Sequence, residues 1–530
     1  MSDPTDNPPR GWTSTALGEI AYVNPRWTEH EPADSALVSF IPMAAVEAGS
    51  GRLDPVASRI WREVKKGYTK FQEGDVLFAK ITPCMENGKV ALAVGLLDGR
   101  GAGSTEFHVL RAIDEVASKF ILYFLLQEKL RHDARLKMRG AAGQLRVPPE
   151  FLEALSLPLP PAREQQRIVA EIEKQFTRLE AGTAALGRVQ ANLKCYRAAV
   201  LKAAVEGRLV PTEAEVARRE GRSYEPASEL LKRILAERKQ VAQPLLAVSQ
   251  NAKAGLPGPR KKKYKEPVAP DTGNLPKLPE GWAWASTMQV GGIQLGRQRS
   301  PKHHSGTHMR PYLRVANVFE DRIDVSDVLE MNFTPSEFQT YELGTGDILL
   351  NEGQSLELVG RPAMYRDEVP GACFQNTLVR FRAYNEIDPR FALIVFRAHL
   401  HSKRFQKIAR WTTNMAHLGA ERFSRVEFPV PPTIEQSRII AEVERRLSVV
   451  DELEMQVEAN LKRAERLRQA LLKRAFEGRL VPQDPNDEPA SVLLERIKAA
   501  RGTATPGCAP SKKNKSKTKG TGKSACATTP

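Results

Sequence analysis

The chain has 530 residues, 27% charged and 41% hydrophobic, with a formal net charge of +16. That is enough apolar material for several packed cores, and length alone suggests two to four domains. No apolar run exceeds the seven residues of Phe120 to Leu126, against the roughly 20 a membrane helix needs. The start, Met1-Ser2-Asp3-Pro4-Thr5-Asp6, lacks the basic and apolar regions of a secretory signal. Five scattered cysteines exclude a disulfide scaffold or a zinc module as the organising principle, so the expectation is a cytoplasmic protein without membrane contact.

In chain order, residues 11–157 read as a mixed α/β domain. A β-rich run, Asp75-Val76-Leu77-Phe78-Ala79-Lys80-Ile81, lies in its middle, and an amphipathic helical stretch near 115–137 closes it. Residues 158–238 read as a helical region that opens on Pro160-Pro161 and ends near the phrase Glu206-Gly207-Arg208-Leu209-Val210-Pro211. Gly there can supply a left-handed cap, and Pro stops the helix from resuming. Residues 239–280, rich in Pro, Gly and Lys, read as a flexible basic linker. A second α/β domain follows at 281–428, with Asp347-Ile348-Leu349-Leu350 as its matching strand and a helical stretch near 389–409; a second helical region occupies 429–501. Residues 502–530 read as a disordered Lys-rich tail. The linker (+5) and the tail (+6) hold eleven of the sixteen net charges, so net charge by itself does not mark either domain as a nucleic-acid binder.

The chain is written twice. Pro158-Leu159-Pro160-Pro161-Ala162-Arg163-Glu164-Gln165-Gln166-Arg167-Ile168 recurs as Pro429-Val430-Pro431-Pro432-Thr433-Ile434-Glu435-Gln436-Ser437-Arg438-Ile439, an offset of 271. The same offset carries Glu206-Gly207-Arg208-Leu209-Val210-Pro211 onto Glu477-Gly478-Arg479-Leu480-Val481-Pro482. The domains upstream match only at skeleton points, Gly11-Trp12 with Gly281-Trp282 and Gly74-Asp75-Val76-Leu77 with Gly346-Asp347-Ile348-Leu349. This is a duplicated two-part module and not a solenoid. Within the helices, apolar positions alternate at three and four: Leu179, Gly182, Leu186, Val189, Leu193, Tyr196 and Val200, then Val450, Leu453, Val457, Asn460, Ala464, Leu467 and Leu471. That spacing predicts a coiled-coil seam, with Asn460 placed to select register. Each helix packing on its own domain is the competing arrangement.

These doubled phrases, with Gly-Asp-[Val/Ile]-Leu inside each variable domain, resemble the specificity (S) subunits of type I restriction-modification systems over nearly the whole chain to about residue 501. The resemblance implies an α+β fold of two target-recognition domains separated by two long conserved helices in an antiparallel coiled coil, with an internal pseudo-twofold repeat. Each domain would read one half of a split sequence in double-stranded DNA. It implies a non-catalytic subunit that docks two methyltransferase subunits and, in the full complex, two restriction subunits, directing adenine methylation or restriction.

Motifs for catalysis fail one by one. Asn7-Pro8-Pro9-Arg10 puts Arg where an adenine methyltransferase needs an aromatic, and Gly520-Thr521-Gly522-Lys523-Ser524 has Lys517 in place of the first Gly of a phosphate loop. His303, His304 and His308 read better as a solvated loop than as a metal site. No catalytic residue, cofactor or metal is expected.

Base reading needs Arg or Lys for guanine and Asn or Gln for adenine. The first domain offers Lys80, Thr82, Asn87 and Lys89 after its strand, and Arg139, Gln144 and Arg146 before the closing prolines. The second offers Arg297, Arg299 and Lys302 near its start, Asn351, Gln354, Ser355 and Arg361 after its strand, and Thr412, Thr413, Asn414 and His417 near its end. Phosphate contacts that fix position without reading sequence are the ordinary alternative for each. A non-catalytic coiled-coil scaffold binding only proteins is the rival function.

Overall fold

Each Gly-Asp-[Val/Ile]-Leu phrase turns a corner into a central strand. Gly74 and Gly346 take φ of +83° and +92°, a region closed to most side chains. The Asp that follows is buried. Asp75 accepts the Gln72 backbone N–H at 2.8 Å and both Nε and Nη2 of Arg111 at 2.8 Å. Asp347 accepts the Gly344 N–H at 2.9 Å and Nε and Nη2 of Arg382 at 2.6 Å. A two-residue phrase thereby fixes the turn and clamps the neighbouring strand.

The computed structural model describes residues 9–26, 31–54, 57–113, 115–141, 143–248, 266–412 and 414–503. Thr413, residues 249–265 of the linker and nearly all of the Lys-rich tail lie outside them. The chain divides into two units, residues 1–185 with 460–530 and residues 186–459.

In the first unit, Val76–Ala79 runs antiparallel between Phe107–Ala112 and Val90–Leu92, and Ala21–Val23 flanks Phe107–Ala112. In the second, Ile348–Asn351 runs antiparallel between Leu378–Ala383 and Pro362–Met364, with Gly291–Leu295 on the outside. The strand order is the same. A further sheet in each unit contains one parallel pair, Leu37–Ile41 with Arg100–Gly103 and Met309–Leu313 with Cys373–Phe374. Each domain's first and last strands pair, Thr13 opposite Leu159 and Ala283 opposite Val430, which delivers the chain to the Pro-Pro step. Both helical stretches before that step break in two, into Ser118–Leu125 and Glu128–Lys137, and into Pro389–His401 and Arg404–Ile408. Residues Phe120 to Leu126 are buried in the first unit's main core, and so are Phe391 to Phe396 in the second's.

The long helices are Ala162–Val205 and Thr433–Phe476, 44 residues each, or about 66 Å at 1.5 Å per residue. The Gln of each opening phrase ties helix to domain. Gln165 accepts the Ala117 N–H at 3.0 Å while donating to the Pro160 carbonyl at 3.1 Å; Gln436 accepts the Asp388 N–H at 2.9 Å. Both helices end as the Gly predicts. Gly207 and Gly478 adopt φ of +65° and +68°, with Arg208 N donating to Ala203 O at 2.9 Å and Arg479 N to Arg474 O at 2.8 Å.

Within each unit the helices run antiparallel, so the end of one meets the start of the other. In the first unit Arg468 pairs with Glu180 at 3.1 Å and Arg167 with Asp487 at 2.6 Å. In the second Arg197 pairs with Asp451 at 2.5 Å and Glu454 at 2.8 Å, and Arg438 pairs with Glu213 at 2.7 Å.

The seam itself differs from the one expected. Leu193, Val200, Val450 and Val457 are buried, and Leu179, Leu186 and Leu471 half-buried. Val189, Tyr196, Leu453, Asn460 and Leu467 are exposed. The positions one residue later, Arg197, Glu454 and Arg468, are less exposed, and their charges are paired. Asn460 is exposed at this position and not enclosed in the seam. The linker also needs correction. A helix, Ala227–Val248, continues past Lys239 where the linker was expected to begin. The linker's far end is pinned to the second unit, with Trp284 Nε1 donating to Pro276 O at 3.2 Å and Ser286 Oγ to Val268 O at 2.7 Å.

In the second unit Glu320 joins a hairpin turn to helix Pro389–His401, accepting from Arg397 Nε and His401 Nε2 at 2.9 Å each. Burial opposes its charge, but the His401 hydrogen bond and the Arg397 cation outweigh burial and hold its carboxyl down at about 2. A depressed carboxyl stabilises the fold above its ordinary value of 4.5 and loses that contribution as pH falls toward 2. Glu320→Gln is expected to remove about 3 kcal/mol near neutrality and to flatten the acid limb of stability below pH 4.5. Urea unfolding of parent and variant at stepped pH checks this, and parallel acid limbs would refute it.

Candidate nucleic-acid interface

Beyond each central strand the backbone repeats one more construction. Lys80 N donates to Glu106 O at 2.9 Å, and Val147 N donates to Lys80 O at 2.9 Å. In the second unit Glu352 N donates to Thr377 O at 2.8 Å, and Leu418 N donates to Glu352 O at 2.8 Å. The returning segment is a hairpin in both. Arg139 faces Arg146, which bridges to Ile81; Arg410 faces His417, which bridges to Gly353. The backbone therefore makes Lys80 equivalent to Glu352, Glu106 to Thr377, Arg139 to Arg410 and Arg146 to His417.

The side chains at these shared places differ in charge and in partner. Arg146 gives Nε and Nη2 to the two oxygens of Glu106, both at 2.8 Å, and Nη1 to Gln144 O at 3.2 Å. The guanidinium hydrogen bond holds the Glu106 carboxyl below its usual range, and burial pulls the Lys80 ammonium down against the attraction of Glu106. Beneath them buried His108 bonds through Nε2 to Val147 O at 2.8 Å, and burial lowers its pKa. In the second unit His417 Nδ1 meets Glu352 Oε2 at 3.1 Å, while Arg422 holds the His417 carbonyl at 2.7 Å.

The first unit thus brings Lys80, Thr82, Arg139, Gln144 and Arg146 to one hairpin. Thr82 spends its hydroxyl on Leu145 O at 3.2 Å. Asn87 is exposed on the turn that follows, and Lys89 reaches the Met43 carbonyl at 3.0 Å. In the second unit Gln354 pairs in register with Ala416, beside His417. Thr412 bonds Met415 O at 3.0 Å, and Asn414 and Ser355 are exposed. Arg361 is half-buried over the Phe319 ring at 4.8 Å, and burial lowers its pKa. Arg299 donates to His304 on an exposed loop that also holds Lys302.

Two of the expected readers are corrected. Arg297 is 7% exposed, paired with Glu337 at 2.8 Å and bonded to the Asn332 carbonyl, so its fork is consumed inside the domain. Asn351 is fully buried at the end of the central strand and presents nothing outward. Glu106, Glu352 and Arg410 were missed. A search for donors overlooks a carboxylate whose role is to hold a donor. Among the described residues no cluster of three His, Cys, Asp or Glu is arranged to hold a metal.

The family model for the type I restriction modification DNA specificity domain matches residues 9–185. The EcoAI specificity subunit of Escherichia coli is 27% identical over 491 residues, covering 84% of this chain and 79% of that protein. Over most of its length the chain is similar to the specificity subunits of type I restriction enzymes. A second relative of these specificity subunits, EcoEI of Escherichia coli, is 26% identical over 502 residues, covering 85% of this chain and 80% of that one. The fold of this chain is also seen in a solved chain from work on complex assembly and conformational transition of the type I R-M system. It superposes with a TM-score of 0.60 at 19% identity and covers 89% of this chain and 99% of that chain.

Proposed function

We infer that this chain is the sequence-specific DNA-binding subunit of a type I restriction-modification complex, with each variable domain reading one half of a split target in double-stranded DNA. The observation that carries the reading is the repeated hairpin. One backbone scaffold holds Lys80, Glu106 and Arg146 in the first unit and Glu352, Thr377 and His417 in the second, which is the variation two different half-sites require. The subunit does no chemistry. It positions two methyltransferase subunits for adenine methylation and, in the full complex, two restriction subunits, in the cytoplasm and away from membranes. The doubled helical regions, alike in both copies, suit docking of like partners; the Lys-rich tail and linker supply cations suited to nonspecific phosphate attraction.

Replacing residues 12–157 with the corresponding domain of a relative is the test. The expected result, read by genome-wide methylation sequencing, is a new sequence in one half-site with the other half unchanged. A change in both halves would overturn the two-reader model.

A further inference from the structure

Resting on the reading of the chain as a DNA-recognition subunit, the side-chain geometry at the first hairpin identifies one base. We propose that Arg146 reads a guanine in the half-site of the first domain and that Glu106 is the positioning residue that aims it. A guanidinium has five N–H groups in one plane. Glu106 takes Nε–H and one Nη2–H, and the Gln144 carbonyl takes one Nη1–H. This leaves one Nη1–H and one Nη2–H; with Gln144 taking the Nη1–H on the Cδ side, those two form the end-on fork that matches guanine O6 and N7.

The arrangement is rigid where it needs to be. Arg139 and Arg146 exchange both backbone hydrogen bonds at 2.9 Å, and Val147 ties the hairpin to Lys80 at 2.9 Å. The Arg146 side chain nevertheless remains 41% exposed, so its outer edge is open to a partner. A planar cation held by a carboxylate loses little further freedom on meeting a base. Lys80 and exposed Arg139 flank it with cations suited to phosphates. The second unit cannot make the same contact, because His417 at the equivalent place has one ring nitrogen engaged by Glu352 and a single nitrogen left over.

The alternative is that Arg146 and Glu106 form an ordinary surface ion pair, which would add little to stability and nothing to specificity. The experiment uses the full chain with a type I modification subunit from the same genome, selected on a pool of duplexes randomised over both half-sites. Arg146→Gln is expected to reduce discrimination for guanine at one position of one half-site by about 10- to 100-fold, the range of one bidentate contact, leaving the other half-site intact. Arg146→Lys, which keeps the cation but not the fork, should weaken the same position less. Glu106→Gln should weaken that position too, and combining it with Arg146→Gln should add nothing, a coupling that a merely structural pair would not produce. Undiminished guanine discrimination in Arg146→Gln or, if that variant does not fold, in Arg146→Lys overturns the proposal alone. A parent complex that selects no split sequence overturns the functional reading and this proposal with it.

Discussion

Asp75→Ala is expected to destabilise the first unit by about 3–5 kcal/mol, the usual consequence of breaking a buried ion pair on one side, and Asp347→Ala to cost the second unit less, because its partner Arg382 is 52% exposed and screened by solvent. Each carboxylate is 1% exposed and accepts a bidentate Arg and a backbone N–H. Truncation leaves Arg111, whose side chain is 20% exposed, beside the core without its anion, and leaves the turn at Gly74 without its cap. Replacing both members of the first pair, Asp75→Leu with Arg111→Met, should recover most of the loss, since the penalty comes from the orphaned charge. Urea unfolding of the full chain, followed with a tryptophan signal from each unit, provides the measurement. A loss below about 1 kcal/mol for both single Asp variants would show that the phrase is a loop marker without a structural task.

Those aspartates show how far the sequence could be read. Gly-Asp-[Val/Ile]-Leu stood out because it occurs at matching places in two otherwise diverged domains. Its partners, Arg111 and Arg382, stood out in neither, because they arrive on another strand after loops of unrelated sequence. The repeat of Pro-Pro, Glu-Gln and Glu-Gly-Arg-Leu-Val-Pro was legible for the opposite reason. Gln165 and Gln436 fasten helix to domain, and Gly207 and Gly478 cap a helix, by local geometry that leaves little choice of residue. The hairpin candidates fell between these cases. Arg146 and His417 were visible as polar residues near a domain's end, but their equivalence rests on cross-strand bonds to Lys80 and Glu352 and on the carboxylates that hold them. Arg297 and Asn351 carried the right chemistry for reading DNA and are enclosed by their own domain, which periodicity in short strands does not disclose.

The seam offers the sharpest contrast between hydrophobicity and position. Arg197→Ala should cost the second unit about 2–3 kcal/mol, whereas Tyr196→Ala and Leu453→Ala should each cost less than about 1 kcal/mol, although the latter remove larger apolar groups. The Arg197 side chain is 13% exposed and pairs with both Asp451 and Glu454, with Leu193 and Val200 buried on either side of it along the helix. Tyr196 and Leu453, one residue earlier, are 45% and 40% exposed. An antiparallel slip of one heptad would bring Arg197 opposite Leu447 or Leu461 in place of Glu454, stranding a cation against apolar side chains, so the pair disfavours the wrong register. Arg197→Leu with Glu454→Leu should therefore be close to neutral in stability while the single Ala variants are not, with a coupling of about 1–2 kcal/mol between the two positions. A double-mutant cycle in urea measures it. Coupling near zero together with a large loss for Leu453→Ala would place the seam where the apolar residues first suggested, and would remove Arg197 from any part in setting register.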